Sequence, residues 1–137
     1  MKLTPSKLNT YTMFKLPSAY ICGVRTKSIS DQSCEVTVKH KWINQNPFKS
    51  MFWAVQGMAA EFSTGALVIA KIQESGQKIS MLVTTNKEVF TKKETGNITS
   101  TCNDGNKLDQ AIAKTIKTGE RQTDWKQTQV RKHNGER

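Results

Sequence analysis

Hydrophobic and polar positions alternate along residues 34–43, with Cys34, Val36, Val38, His40 and Trp42 set against Glu35, Thr37, Lys39 and Lys41. That is the pattern of a strand with one buried and one wet face. Residues 24–30 form a shorter partner strand, and Ser30-Asp31-Gln32-Ser33 between them reads as a turn. Residues 79–91 and 97–102 predict two further strands joined around Glu94-Thr95-Gly96, followed by the turn Asn103-Asp104-Gly105-Asn106. Residues 107–118 place Leu108, Ala111, Ile112 and Ile116 on one helical face and end at Gly119, a helix C-cap. Residues 120–133, polar except for Trp125 and Val130, predict a last strand. At the start, Thr4-Pro5 followed by Leu8, Tyr11 and Phe14 predicts a short helix that stops before Pro17.

Residues 51–70, MFWAVQGMAAEFSTGALVIA, break the alternation and contain no Lys or Arg. Their alanines, methionines and length favour a helix over a strand. A membrane span of this length would carry Glu61 at its middle, at a cost of about 2.5–3.5 kcal/mol even on a lenient insertion scale. Gln56, Ser63 and Thr64 add to the polarity, so the segment reads as a helix buried inside a protein that does not span a membrane. Asn46-Pro47 or Ser50 would start it, with Asn or Ser as cap and Pro in the first turn.

This order of elements predicts an α+β fold, an antiparallel sheet wrapped around one long central helix, in one domain over 1–137. Within it, 1–20 form the N-terminal helix and entry and 51–70 the central helix. No internal repeat and no Gly-rich phosphate loop after a strand is present, which excludes Rossmann and P-loop enzymes. The closing His133-Asn134-Gly135 is a hairpin signal with two residues after it. It predicts a shortened last strand or an edge completed by a partner subunit, unless it is a ragged polar tail.

Charge changes the picture less than its size suggests. The chain has 21 Lys and Arg against 11 Asp and Glu, a formal net charge of +10, which asks for a polyanionic partner. The basic residues are spread along the chain with no long block, and the aromatics do not interleave with them as in a strand platform for single-stranded nucleic acid. Nucleic acid is therefore the weaker expectation, and much of the charge reads as a solvated face. Cys22, Cys34 and Cys102 are odd in number and lack a Cys-x-x-Cys pair, so neither a disulfide framework nor a zinc site is expected. With no signal-peptide pattern at the N-terminus, the expected location is cytoplasmic.

Candidate chemistry centres on Glu61. Helical spacing aligns it with Gly57 and Gly65, with Ala54 and Thr64 beside them. Either this stripe of small residues admits a ligand to the carboxylate, or it serves tight packing while Glu61 pairs with a Lys or Arg. His40 reads as a half-buried structural histidine by its strand parity, and Asp104 and Asp109 as helix-capping residues. No Ser-His-Asp or Cys-His arrangement can be built from two histidines without partner motifs.

Residues 16–72 resemble the first half of a hotdog-fold protein of the acyl-CoA thioesterase superfamily, most closely an uncharacterised branch of it, a domain of unknown function. The resemblance rests on the 17–23 entry, the strand pair, the Asn44/Asn46 loop and Ala59-Ala60-Glu61 followed by Gly65 on the helix. It implies a homodimer or dimer of dimers that binds acyl-CoA at the subunit interface, with no cofactor beyond the coenzyme A of the substrate and no metal. Glu61 matches the helix carboxylate that activates water or attacks the thioester in such enzymes. Backbone N–H groups at the helix start, here within 49–54, would polarise the carbonyl. Asn46, Phe52, Trp53, Ala54, Gln56, Gly57, Thr64 and Gly65 are the implied substrate-binding positions, with Asn46 equally readable as a cap. Arg121, Arg131 and Lys92/Lys93 are candidates for the adenosine phosphates.

One departure bears on activity. Phenylacetate-pathway thioesterases carry His-Gly-Gly at the helix start, where this chain has Phe52-Trp53-Ala54. Trp53 and Ala54 would crowd a backbone oxyanion pocket, while Gln56 offers an amide donor near Glu61. The expectation is therefore a thioesterase, with a non-catalytic hotdog module that binds an acyl ligand as the alternative.

Overall fold

The computed structural model describes residues 3–77, 79, 96–119 and 128–132. In chain order it holds α1 (Pro5–Lys15), α2 (Pro17–Ile21), β1 (Arg25–Ile29), β2 (Cys34–Lys39), a 3-10 turn (Trp42–Asn44), α3 (Trp53–Ser75), β3 (Asn97–Cys102), α4 (Gly105–Thr118) and β4 (Thr128–Lys132). Apart from Ile79, the strand expected over 79–91 lies outside the described residues, as do 120–127 of the expected last strand and the tail after 132.

The four strands form an antiparallel sheet in the order β1-β2-β3-β4. On β2 and β3 the alternation is fully expressed: Cys34, Val36, Val38, Ile98, Ser100 and Cys102 are buried, and their neighbours are not. Helix α3 lies across all four strands and meets α4. Its buried residues, among them Val55, Ala59, Phe62, Ala66 and Leu67, face the sheet. Each fully buried side chain of the Val or Leu kind contributes about 1.5–3 kcal/mol. The α+β expectation and the long central helix are therefore observed.

α4 takes in Gly105 and Asn106 of the expected 103–106 turn, and three other boundaries differ from the sequence reading for a clear local reason. β2 stops at Lys39, because the chain turns into the 3-10 segment, so Trp42 leaves the buried face and stands in solvent. α3 begins at Trp53 with Phe52 as its cap, since Asn46 and Ser50 are engaged in a separate turn. It then runs past residue 70 to Ser75 and ends at Gly76, whose φ of 69° is the left-handed conformation that glycine takes readily.

The extension carries Lys71, 7 % exposed, whose Nζ lies 3.0 Å from Asp109 Oδ1 on α4. Asp109 is thus an interhelical partner and not a helix cap. At the other end of α4, a Cβ on Gly105 would collide with the Asp31 carbonyl oxygen and the Gln32 Cα. The close approach lets the Gly105 N–H donate to the Gln32 carbonyl at 3.1 Å. Along β1, Asn9 of α1 accepts from the Thr26 N–H at 2.8 Å and donates to the Thr26 carbonyl at 3.3 Å. The outer side of that strand is thereby covered, which blunts a pairing edge.

The most connected buried side chain in the loops is Asn44. Its Nδ2 donates to the carbonyls of Cys22 and Lys39, both at 2.9 Å, and its Oδ1 accepts from the Lys41 N–H at 2.7 Å. The Asn44 carbonyl then accepts from the Phe52 N–H at 2.8 Å, at the threshold of α3. Asn44→Ala leaves these buried groups unpaired and should lower unfolding free energy by about 2–3 kcal/mol in a denaturant titration.

Cys34 and Cys102 are direct cross-strand partners, both fully buried. Burial first, then the Cys102 thiol and Glu35, push the Cys34 thiol up to about 12. A thiol reagent should therefore modify the half-buried Cys22 in the native protein and reach Cys34 and Cys102 on unfolding, as mass spectrometry would show.

Candidate functional site

The face of α3 turned away from the sheet carries Ala54, Gly57, Met58, Glu61, Thr64 and Gly65, which helical periodicity places together. All but Gly65 keep some solvent exposure, with Met58 packed against the core, so this side is more open than the sheet side. Gly65 is buried because the Glu61 carboxylate folds over it. A Cβ there would stand 3.3 Å from Glu61 Oε1 and 3.8 Å from Cδ. The missing side chain at 65 is what permits this pose of the acid.

Glu61 remains partly in solvent, yet enough protein surrounds its carboxyl that desolvation raises its pKa. Burial is the cause of the shift. Among the described residues Glu61 has no ion-pair partner, and the buried lysine of α3 pairs with Asp109.

The start of α3 is built differently from the expectation. Asn46 is neither a cap nor aimed at the Glu61 face: its Oδ1 accepts from the N–H groups of Phe48 at 2.9 Å and Ser50 at 3.3 Å. Its Nδ2 donates to Ser50 Oγ at 3.0 Å. This tight turn takes Lys49 to a φ of 60°. Phe52 caps α3 without a side-chain hydrogen bond, leaving the first N–H groups of the helix without a side-chain acceptor among the described residues. The Phe52 and Trp53 rings stand beside that end, edge to face at 5.9 Å and 61°. Gln56 is buried and donates its amide to the Met51 carbonyl at 3.2 Å, so it secures the helix entry and not the carboxylate.

The sequence reading missed a cavity. Leu8 and Tyr11 of α1 and Val68, Ile69 and Ile72 of α3 line an apolar groove of about 370 Å³. Val68 lies on the Glu61 face, about 10 Å further along the helix axis. Its signal was available, because Val68 and Ile72 continue the Gly57-Glu61-Gly65 stripe, but the α1 wall of the groove is a tertiary contact. The candidate phosphate contacts Arg121 and Lys92/Lys93 lie outside the described residues. Among the described residues, no cluster of three or more His, Cys, Asp or Glu could hold a metal ion.

The model of one protein family, a domain of unknown function, matches residues 6–134. The chain belongs to the DUF4442 family. Several solved structures share the fold of the present chain. A Chlorobaculum tepidum protein of unknown function superimposes with a TM-score of 0.81 at 18% identity, covering 96% of this chain and 83% of its own. A Pseudomonas aeruginosa protein of unknown function, described as a probable thioesterase, gives 0.80 at 18% identity over 99% and 89%. A thioesterase from Haemophilus influenzae gives 0.69 at 14% identity over 99% and 84%. No curated protein matches the chain. The DUF4442 chain therefore has the hotdog fold, the sheet wrapped about α3.

A carboxylate whose folded pKa lies above its unfolded value favours the folded state at low pH and weakens it as pH rises from the unfolded to the folded pKa. Glu61→Gln removes that penalty. The variant should melt above wild type at neutral pH, with the difference closing toward pH 3–4, roughly where carboxylates protonate. Thermal unfolding across pH is the measurement.

Proposed function

We propose that this protein hydrolyses an acyl-CoA thioester, with Glu61 as general base or nucleophile, at an interface with a second copy of the chain. The observation that carries this reading is the Glu61 carboxylate itself, on the open face of α3, partly withdrawn from water and laid over Gly65. A carboxylate whose proton affinity is raised is a better general base near neutral pH. The thioester would lie along the Ala54, Gly57 and Thr64 side of the helix. The positive end of α3, whose first N–H groups no side chain among the described residues caps, would polarise its carbonyl. The aliphatic part of the acyl group would enter the groove lined by Leu8, Val68 and Ile72.

A non-catalytic acyl-binding module is the second reading, favoured by the Phe52-Trp53 rings at the helix start and by the Gln56 amide held on Met51. The Gln56 bond removes one amide donor that could serve an oxyanion, and the rings crowd the helix start.

Release of coenzyme A from short, aromatic and long acyl-CoAs separates the two. Wild type should turn over at least one class, and Glu61→Gln should lose about 10²–10⁴-fold in kcat. Equal turnover by both proteins removes Glu61 from the mechanism. An acyl-CoA that raises the melting temperature without being consumed decides for the binding module. Activity should fall as pH drops through an inflection above the usual carboxylate range, because the base must be ionised. Val68→Phe, which fills the groove, should shift preference toward shorter acyl chains.

A further inference from the structure

The groove between α1 and α3 has a definite position, length and polarity relative to Glu61. Helical spacing brings Gly65, Val68 and Ile72 round to the same side of α3 as Glu61, in one line running from the carboxylate toward the C-terminal end of the helix. Gly65 puts no side chain across that line, and Val68 and Ile72 line the groove. The carboxylate and the groove are therefore two parts of one track.

The opposite wall is held in place by the fold itself. Leu8 of α1 is buried in the core, and Asn9 ties α1 to β1 through its two hydrogen bonds with Thr26. Of the residues that line the groove only Tyr11 and Gln73 carry polar groups, and among the described residues none is charged. An acyl group ending in a carboxylate or an amine would lose its hydration there without a partner. An alkyl chain loses nothing by entering.

Distance then sets a length. A helix rises about 1.5 Å per residue, so Ile72 stands about 16 Å along the axis from Glu61 and about 10 Å from Gly65. The carboxylate lies between those two points, since it folds over Gly65. An extended alkyl chain advances about 1.3 Å per carbon, from single bonds near 1.5 Å at tetrahedral angles. Reaching Ile72 from the carboxylate thus takes about eight to thirteen carbons. Volume agrees with length: 370 Å³ holds about twelve methylenes at roughly the 30 Å³ that a water molecule occupies. A short or aromatic acyl group would end near Val68 and leave the rest of the groove unfilled.

We infer that the acyl group this protein takes is a straight, unsubstituted alkyl chain of about nine to fourteen carbons, the carbonyl carbon included, laid along Gly65, Val68 and Ile72. The inference rests on the acyl-CoA reading above, which sets the thioester at Glu61. Along this track each added carbon contributes a similar increment of binding until the far end of the groove is reached.

Saturated acyl-CoAs from butanoyl to octadecanoyl, together with benzoyl-CoA, test it by calorimetric titration into the full chain carrying Glu61→Gln. Coenzyme A release by wild type is followed on the same series. Affinity should rise about two- to four-fold per added carbon, peak between decanoyl and tetradecanoyl, and fall at octadecanoyl. Val68→Phe and Ile72→Phe, each added to Glu61→Gln, should both shorten the preferred chain. Val68→Phe should shorten it by about four or five carbons more, because it stands one helical turn nearer the carboxylate. General destabilisation would weaken every chain length alike, so the displaced peak is the readout. If either variant fails to fold, the Glu61→Gln profile alone decides. That profile without coenzyme A release by wild type keeps the inference and ends the hydrolase reading. Hydrolysis and binding that peak at butanoyl or benzoyl, or equal affinity at all lengths, overturn the inference and leave the acyl-CoA reading standing. An unchanged peak in both Phe variants also overturns it, and would give the groove to a second copy or to another segment of this chain. No binding by any acyl-CoA overturns both.

Discussion

Everything about the open face of α3 depends on how the chain enters that helix, and the entry is governed by the buried side chain of Asn44. A strand and the helix that follows it must meet at a fixed azimuth, because a helix rotates its side chains by about 100° per residue. Asn44 ties the end of α2, the end of β2 and the first residue before α3 into one hydrogen-bonded joint. A slip of one residue at this joint would turn Glu61 toward the sheet flank and expose Ala59 or Phe62. The polar joint and the apolar packing of α3 are therefore two halves of one specification, the first setting the phase and the second supplying most of the free energy.

Much of this was legible in the sequence, where local pattern and tertiary outcome coincide. β3 was readable to the residue, because Ile98, Ser100 and Cys102 alternate cleanly and strong turn residues follow. Glu61 and its small-residue stripe were readable as well, since helical spacing needs no knowledge of neighbours. The errors fall where a side chain answers to a distant partner or an unusual turn. Lys71 looked like the end of the buried helix, yet Asp109 lets an ammonium group stay inside. Trp42 fitted the parity of β2, but parity has no meaning once Lys39 ends the strand. Asn46-Pro47 has the composition of a helix start and makes a turn instead, with Lys49 in the left-handed region.

The candidate acid and the loop beside it share a physical character. Each holds a group in an environment it would leave if free to do so: a carboxylate partly withdrawn from water, and aromatic rings kept in it. Both arrangements are destabilising taken alone, and both are maintained by well-packed surroundings. Their proximity in sequence, at opposite ends of the first two turns of α3, makes that end of the helix the region where stability yields to other demands.

Gly105 has a consequence for how this protein can vary. A Cβ at this position would collide with the backbone of Asp31 and Gln32, so no side chain fits between α4 and the β1–β2 turn. Surface turns usually tolerate insertions, but an added residue at 31–32 would press directly on the first turn of α4. Through Lys71 and Asp109 that displacement would reach the far half of α3 and the wall of the apolar groove. A short polar turn is thus geared, by steric contact and one ion pair, to the shape of the cavity.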